Sequence, residues 1–373
     1  MRISNSLLLL VVIFSTKIVF SQLKGVSKNK SFLNEHPTLI NGKINNHSSN
    51  TNNGFITFRT YTLTGQVKDT SFSVNNEGAF SGKLFQYFES DIAVMYAGRY
   101  MDIYYIPGQN LYIQIDEIKW NDPENISASI SLSGKAAKQS KMIVDFTKAF
   151  AKAKFMIVDW PDSTKSDEEV SLQRINRMQE EKSFLNSYLK SKNISDEKFR
   201  NWAENYITYN AGTDITFENF TSLRNKSLTI DRLMKVLKSI KVVNPKALHT
   251  SSYYAFLHQL QGAFQIIINI NPLYKESVKI NGLNPIPVYT HYIDQNSHGI
   301  ARQLMYFNLY GRVSKSSYDN LFDSVILDKV LKKQFAALKN KKNQSFIPFN
   351  VIARLHSAKI DSSIKSRLIT KVE

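Results

Sequence analysis

Two hydrophobic periods divide the chain. From Leu39 to Leu132, short runs of β-branched and aromatic residues alternate with turn signals at intervals of about ten residues: LINGKI, FITFRTYTL, TSFSVNNEGAF and MDIYYIPGQNLYIQIDEI. In the last run Leu111, Ile113 and Ile115 share one face while Tyr112, Gln114 and Asp116 share the other, the period-two pattern of a half-buried sheet. This spacing predicts an antiparallel β-sandwich or barrel. The clearest hairpin joins Ile103–Ile106 to Leu111–Ile115 across Pro107-Gly108-Gln109-Asn110. Asn75-Asn76-Glu77-Gly78 supplies a second turn, since Asn and Gly tolerate positive φ. Asn45–Asn53 reads as a polar loop and Ala128–Leu132 as the last strand.

From Lys135 the period lengthens to three and four, with Ile143, Phe146, Phe150 and Ala151 on one helical face between Ala136 and Val158. Ser166 stands three residues before Glu169 as a capping box, followed by a stripe of Leu172, Ile175, Met178, Leu185, Tyr188 and Leu189. Ser195 is placed to cap a helix carrying Phe199, Trp202 and Tyr206. Further helices are expected at Ile230–Ile240, Tyr253–Phe264, Gly299–Tyr310 and Tyr318–Leu338. Asn269–Pro287 holds Pro272, Pro285 and Pro287 and cannot be one helix. No internal repeat stands out. The expected class is α+β: a linker at residues 22–37, an amino-terminal antiparallel β-sandwich at residues 38–134 and an α-helical domain at residues 135–373.

The first residues read as a secretory leader. Met1-Arg2 gives the charged start, Leu7–Phe14 the apolar core and Val19-Phe20-Ser21 a cleavage site before Gln22, so residues 1–21 are expected to be removed on export to the periplasm or cell envelope. Ser15, Thr16 and Lys17 end the apolar run well short of the ~20 residues a spanning helix needs. Phe264–Ile270, the next most apolar run, suits a buried strand or helix end, and no transmembrane segment is expected after cleavage. The chain has no cysteine, which excludes disulfides, thiol redox chemistry and lipid attachment through a cysteine.

The 48 basic residues against 31 acidic give +17, a surplus that can attract nucleic acid, anionic lipid or acidic glycan. The lysines are scattered, however, and the tight clusters Lys332-Lys333 and Lys339-Asn340-Lys341-Lys342 lack interleaved stacking aromatics. Nucleic acid is therefore not an expected partner.

The order of elements, with Gly42, Asp69-Thr70-Ser71, Gly78-Ala79-Phe80, Ile106-Pro107-Gly108 and Leu132-Ser133-Gly134-Lys135-Ala136, resembles the amino-terminal region of exported TlpA-like thioredoxin-family proteins over roughly residues 36 to 260. In that family these parts precede a thioredoxin domain bearing Cys-x-x-Cys, which acts as a disulfide reductase. The sequence given stops at Glu373, where such a domain would begin, and has no cysteine to receive the family's catalytic role. The resemblance thus implies the non-catalytic front part.

Separate signals for chemistry are sparse. His291, Asp294 and His298 lie at separations that one helix could turn to a common side, as a zinc site requires, or they are hydrogen-bonded or solvated groups near a helix start. No Gly-x-Ser-x-Gly elbow occurs, and Ser133-Gly134-Lys135 lacks the glycine spacing of a P-loop. Glu168-Glu169 and Glu180-Glu181 read as solvated faces beside cations such as Lys182. The aromatic residues either pack the core or form an interaction surface, whose candidates are Tyr96, Tyr100, Tyr104, Tyr253 and Tyr254. The expectation is an exported, non-enzymatic binding or accessory protein with no cofactor and a protein, peptide or glycan partner. One alternative is the partner-docking part of an envelope thiol-disulfide system whose Cys-x-x-Cys domain is missing. The other is a metal-dependent hydrolase using His291 and His298.

Overall fold

The β-rich third folds into two four-stranded sheets facing each other. Their strands are β1 (Thr38–Asn45), β2 (Phe55–Tyr61), β3 (Val67–Ser73), β4 (Ala79–Leu84), β5 (Ser90–Tyr96), β6 (Arg99–Tyr105), β7 (Leu111–Asp116) and β8 (Ile130–Ser133). One sheet has the order β4-β1-β7-β8 and the other β3-β2-β5-β6. This computed structural model describes residues 33–48, 54–122, 125–155, 166–221, 228–282, 284–312 and 319–344. The expected leader at residues 1–21, residues 49–53 of the polar loop and residues 156–158 of the expected first helix lie outside the described residues.

The sandwich is antiparallel except at one place. β1 runs parallel to β7, with Gly42 opposite Ile113, while its other edge pairs antiparallel with β4. Gly42 is needed there because a Cβ would stand 2.2 Å from both the Ile113 carbonyl and the Phe80 ring. Ile40, Ile44, Phe58, Val94, Ile103 and Ile113, from both sheets, fill the space between them.

The expected hairpin of Ile103–Ile106 with Leu111–Ile115 is corrected. Ile103 pairs with Ile92 in one sheet, and Leu111 pairs with Ile40 in the other. Residues 106–110 therefore carry the chain between sheets. Gly108 (φ 73°) does make the turn, but its flanks do not pair. The tight hairpin is instead β5–β6, closed by Ala97 (φ 47°) and Gly98 (φ 74°), both left-handed as a two-residue primed turn demands. The Asn75–Gly78 turn forms as expected: Asn75 Oδ1 accepts from the Ala79 and Glu77 amides at 2.8 and 3.1 Å.

Eleven helices follow or interrupt the strands among the described residues: α1 (Glu117–Trp120), α2 (Ala137–Lys152), α3 (Asp167–Ser191), α4 (Glu197–Thr221), α5 (Ile230–Val236), α6 (Ser251–Ile270), α7 (Lys275–Ile280), α8 (Ile286–Asn296), α9 (Gly299–Arg312), α10 (Asp319–Val325) and α11 (Lys329–Gln344). The Ser166–Glu169 capping box is present in full. At α4 the cap is Asp196 rather than Ser195, its Oδ1 accepting the Phe199 amide at 3.0 Å. The helix expected over 318–338 is broken because Asp328 caps a new one, accepting from the Val330 and Leu331 amides at 2.9 and 3.0 Å. Phe264–Ile270 is the end of α6, buried in part, before the proline-bearing crossing to α8.

The described strands and helices belong to one compact unit. β6 explains how they join: Ile103 and Tyr105 point into the sandwich, while Tyr104 enters a second core with Ile143, Phe146, Trp202 and Phe199. Ser140 of α2 accepts the Tyr104 amide at 2.9 Å, so a helix covers what would be an open sheet edge.

Candidate functional site

Four of the five tyrosines expected on an interaction surface are buried, which corrects that expectation for them. Tyr96 lies at the sandwich end and shares a hydrogen bond with His47 at 3.2 Å. Tyr104 carries the Lys198 ammonium 4.7 Å over its ring. The hydroxyls of Tyr253 and Tyr254 donate to the carbonyls of Val242 and Leu248 at 2.8 and 3.1 Å. Tyr254 also stacks on Phe88 with ring centres 3.6 Å apart. These rings are inside because two aromatic layers must meet where strands pack on helices; the tips of Tyr96, Tyr253 and Tyr254 find a ring nitrogen or a carbonyl, whereas the buried Tyr104 hydroxyl has no hydrogen-bond partner among the described residues. Tyr100 is 59% exposed, the one surface tyrosine of the five.

His291, Asp294 and His298 are not gathered into a metal site. His291 is exposed and stands edge-on to Tyr292, and His298 is exposed ahead of α9. Asp294 is engaged with Arg302 at 2.6 Å and with the Tyr306 hydroxyl at 2.9 Å. Among the described residues no group of three potential ligands could hold a metal ion. Glu180 is exposed as expected, but the solvated reading of Glu181 is corrected. Glu181 is buried and accepts from Arg174 and Arg177, each at 3.2 Å, while Arg174 also reaches Asp214 at 2.7 Å. Burial raises the pKa of Glu181 and Asp214, and the arginines oppose it.

The outer face of the β3-β2-β5-β6 sheet carries the unexpected acids. Asp91 on β5 is 4% exposed and accepts from Trp202 Nε1 at 2.8 Å, from the Ser251 amide at 3.0 Å and from the Ser251 hydroxyl. Asp91 therefore ties one strand to α4 and to the first turn of α6.

Asp102 sits on the same face one pair further out. Cover thins along this face: Asp91 and Tyr104 are buried, Ala93 and Asp102 are half-buried, and in the next pair Met95 is half-buried while Tyr100 is exposed. Across the strands the row reads Asp69, Arg59, Ala93, Asp102. Arg59, the cation of that row, is bound by Asp69 through two bonds of 2.9 Å. Asp102 has no cation partner among the described residues, and burial together with the neighbouring Asp91 charge pushes its pKa up to about 7.

Tyrosines surround this carboxyl. Tyr206 lies one turn along α4 from Trp202, their rings stacked 5.1 Å apart. Burial, followed by Asp102, Asp91, Tyr100 and Tyr61, holds its hydroxyl well above its ordinary pKa. Tyr61, at the end of β2, is pushed to about 12 by burial, Asp91 and Asp102. Tyr100 is raised by burial and Asp102. Ala93, Asp102, Tyr61 and Tyr100 share this sheet face, and Tyr206 of α4 lies within electrostatic reach of Asp102; these five residues are the Asp102 niche. A carboxyl titrating near neutrality accepts hydrogen bonds when ionised and donates one when protonated, and tyrosines offer flat apolar faces with polar tips. Its sequence signal was an aspartate inside each of two otherwise apolar strands, DIAVMY and DIYY.

Comparison with protein-family models, curated proteins and solved structures finds no match for this chain. Among the described residues no helix is long and apolar enough to cross a membrane.

Proposed function

We propose that the chain is a non-catalytic binding protein acting outside the cytoplasm, at the cell envelope. In this reading the Asp102 niche holds part of a peptide or glycan that presents N–H or O–H donors beside an apolar face. The observation that carries it is the half-buried Asp102 carboxyl, whose cross-strand cation Arg59 is already committed to Asp69. Such a carboxyl gains by accepting donors from a ligand. The exposed ring of Tyr100 beside it supplies a surface on which a sugar or side chain can lie. The charged and apolar start of the chain and the likeness of residues 36 to 260 to TlpA-like amino-terminal regions support a place outside the cytoplasm.

Glycan and peptide arrays probed with the full chain, followed by calorimetry on the best binder, test this. D102N and Y100A should each weaken binding about tenfold or more without lowering the unfolding midpoint. A ligand that binds both variants like the parent would overturn the assignment of the niche.

A further inference from the structure

A second cleft lies away from the Asp102 niche, where the turn after β2 meets α9 and α11. Its volume is about 310 Å³, at the lower end of the range for small-molecule sites. Thr62, Thr64, Asn308 and Gln334 give it polar groups, while Leu63 and Phe307 give it apolar ones. Arg312 stands at its rim with no acidic partner among the described residues: Nη1 donates to Gln265 Oε1 at 3.0 Å and Nη2 meets the His258 ring at 2.9 Å. Glu35, which bonds to the cleft residue Gln334 at 3.1 Å, is committed to Lys333 at 2.8 Å.

The turn on the opposite side of the cleft packs closely on α6. Gly65 (φ 75°) lies so close to α6 that a Cβ would stand 2.3 Å from the Tyr254 carbonyl. That approach fixes the turn carrying Thr62 and Thr64, whose hydroxyls share a 2.8 Å hydrogen bond. A separate void of about 10 Å³ is lined by Leu63, Thr64 and His258.

We propose that this cleft binds a small organic oxyanion, its carboxylate or phosphate group on Arg312 and its apolar body against Leu63 and Phe307. An arginine fork matches either anion, and its present neighbours, an amide oxygen and a second basic group, leave its charge uncompensated. His258 reports occupancy. Burial and Arg312 lower its pKa, the Thr64 carbonyl and Asn308 facing it favour the charged form, and a bound anion adds attraction for the proton. Its titration midpoint therefore rises on binding, and affinity increases as pH falls.

Calorimetry on the full chain with phenyl phosphate, benzoate and uncharged benzyl alcohol tests the proposal. NMR titration of the His258 ring, assigned with H258Q, is its second readout. Saturable binding of one or both anions but not the alcohol, with a raised His258 midpoint, is expected. The preferred anion tells phosphate from carboxylate. R312Q should bind about tenfold more weakly or worse with an unchanged unfolding midpoint. Should R312Q fold poorly, L338W, which fills the cleft and keeps Arg312, should lose binding instead. Absence of saturable anion binding by the parent chain, or parent-like binding by L338W or by a folded R312Q, would overturn the proposal.

Discussion

Asp91 on β5 and Trp202 on α4, 111 residues apart in the chain, are joined by a 2.8 Å hydrogen bond from the indole N–H to Oδ1. Ser251, a further 49 positions along by numbering, donates its amide to the same oxygen and its hydroxyl to the other. A single carboxylate thus fixes two helices on the outer face of a sheet.

Removing that carboxylate strands two buried donors and a hydroxyl. Asp91→Ala is expected to lower unfolding free energy by about 3 kcal/mol, and Trp202→Phe by about 1 to 2 kcal/mol. Urea unfolding followed by far-ultraviolet circular dichroism measures both. A cost below about 1 kcal/mol for Asp91→Ala would mean that packing alone holds the seam.

Asp102 has the opposite character, because the fold disfavours its charge. Its carboxyl holds a proton up to about pH 7 when folded but only to about pH 4 when unfolded. Between those values the folded chain binds more protons, so this group lowers stability as pH rises and adds no further change above about 7. Asp102→Asn removes the titration. Its stability relative to the parent should increase by on the order of 2 kcal/mol from pH 4 to pH 7, allowing for partial water access. A constant difference across that range would place the group in an ordinary aqueous environment.

The Arg174–Glu181–Asp214 cluster is expected to be costly to break. Arg174→Met leaves two partly or fully buried acids with less compensation and should destabilise by about 3 kcal/mol near pH 8. Losing the cation raises both acids' folded pKa further, so protonation relieves part of the penalty and the loss should be smaller at pH 5. Equal losses at both pH values would point to lost packing by the arginine stem instead.

Glycine substitutions separate contact from backbone effects. Gly42→Ala drives a methyl into the Ile113 carbonyl and Phe80 ring, at an expected cost of about 3 kcal/mol. Gly54→Ala meets nothing within 4 Å among the described residues and should change stability by less than about 1 kcal/mol in either direction. Thermal unfolding of the two variants side by side makes the comparison, and similar midpoints would contradict it.

The division into strands and helices was legible because period two gives way to period 3.6 near Gly134, and the Ser166 cap was legible because its partner Glu169 lies within one turn. Pairing across the sandwich was not. Pro107-Gly108 makes a real turn, yet nothing local says that its two flanks enter different sheets. Ala97-Gly98, the true hairpin, lacks the Asn or Asp that usually announces a primed turn. Glu181 looked solvated beside Glu180 and Lys182, since its partners Arg174 and Arg177 sit two turns and one turn back. Of the candidate site, Tyr100 was legible as an exposed strand tyrosine. Asp102 gains its character from Asp91, Arg59 and Asp69, which only strand register brings into one row.

The parallel pairing of β1 with β7 governs how this chain can be assembled. A strand flanked by its nearest neighbours can zip up as it emerges, but Ile40 must wait for Leu111, and Ile44 for Ile115. In a chain that appears amino end first, the opening strand stays an unfinished edge while some seventy residues follow it. Until then that edge is open to pairing with a neighbouring copy. How long β1 keeps an unpaired edge is set by the arrival of β7, whatever the stability of the finished sandwich.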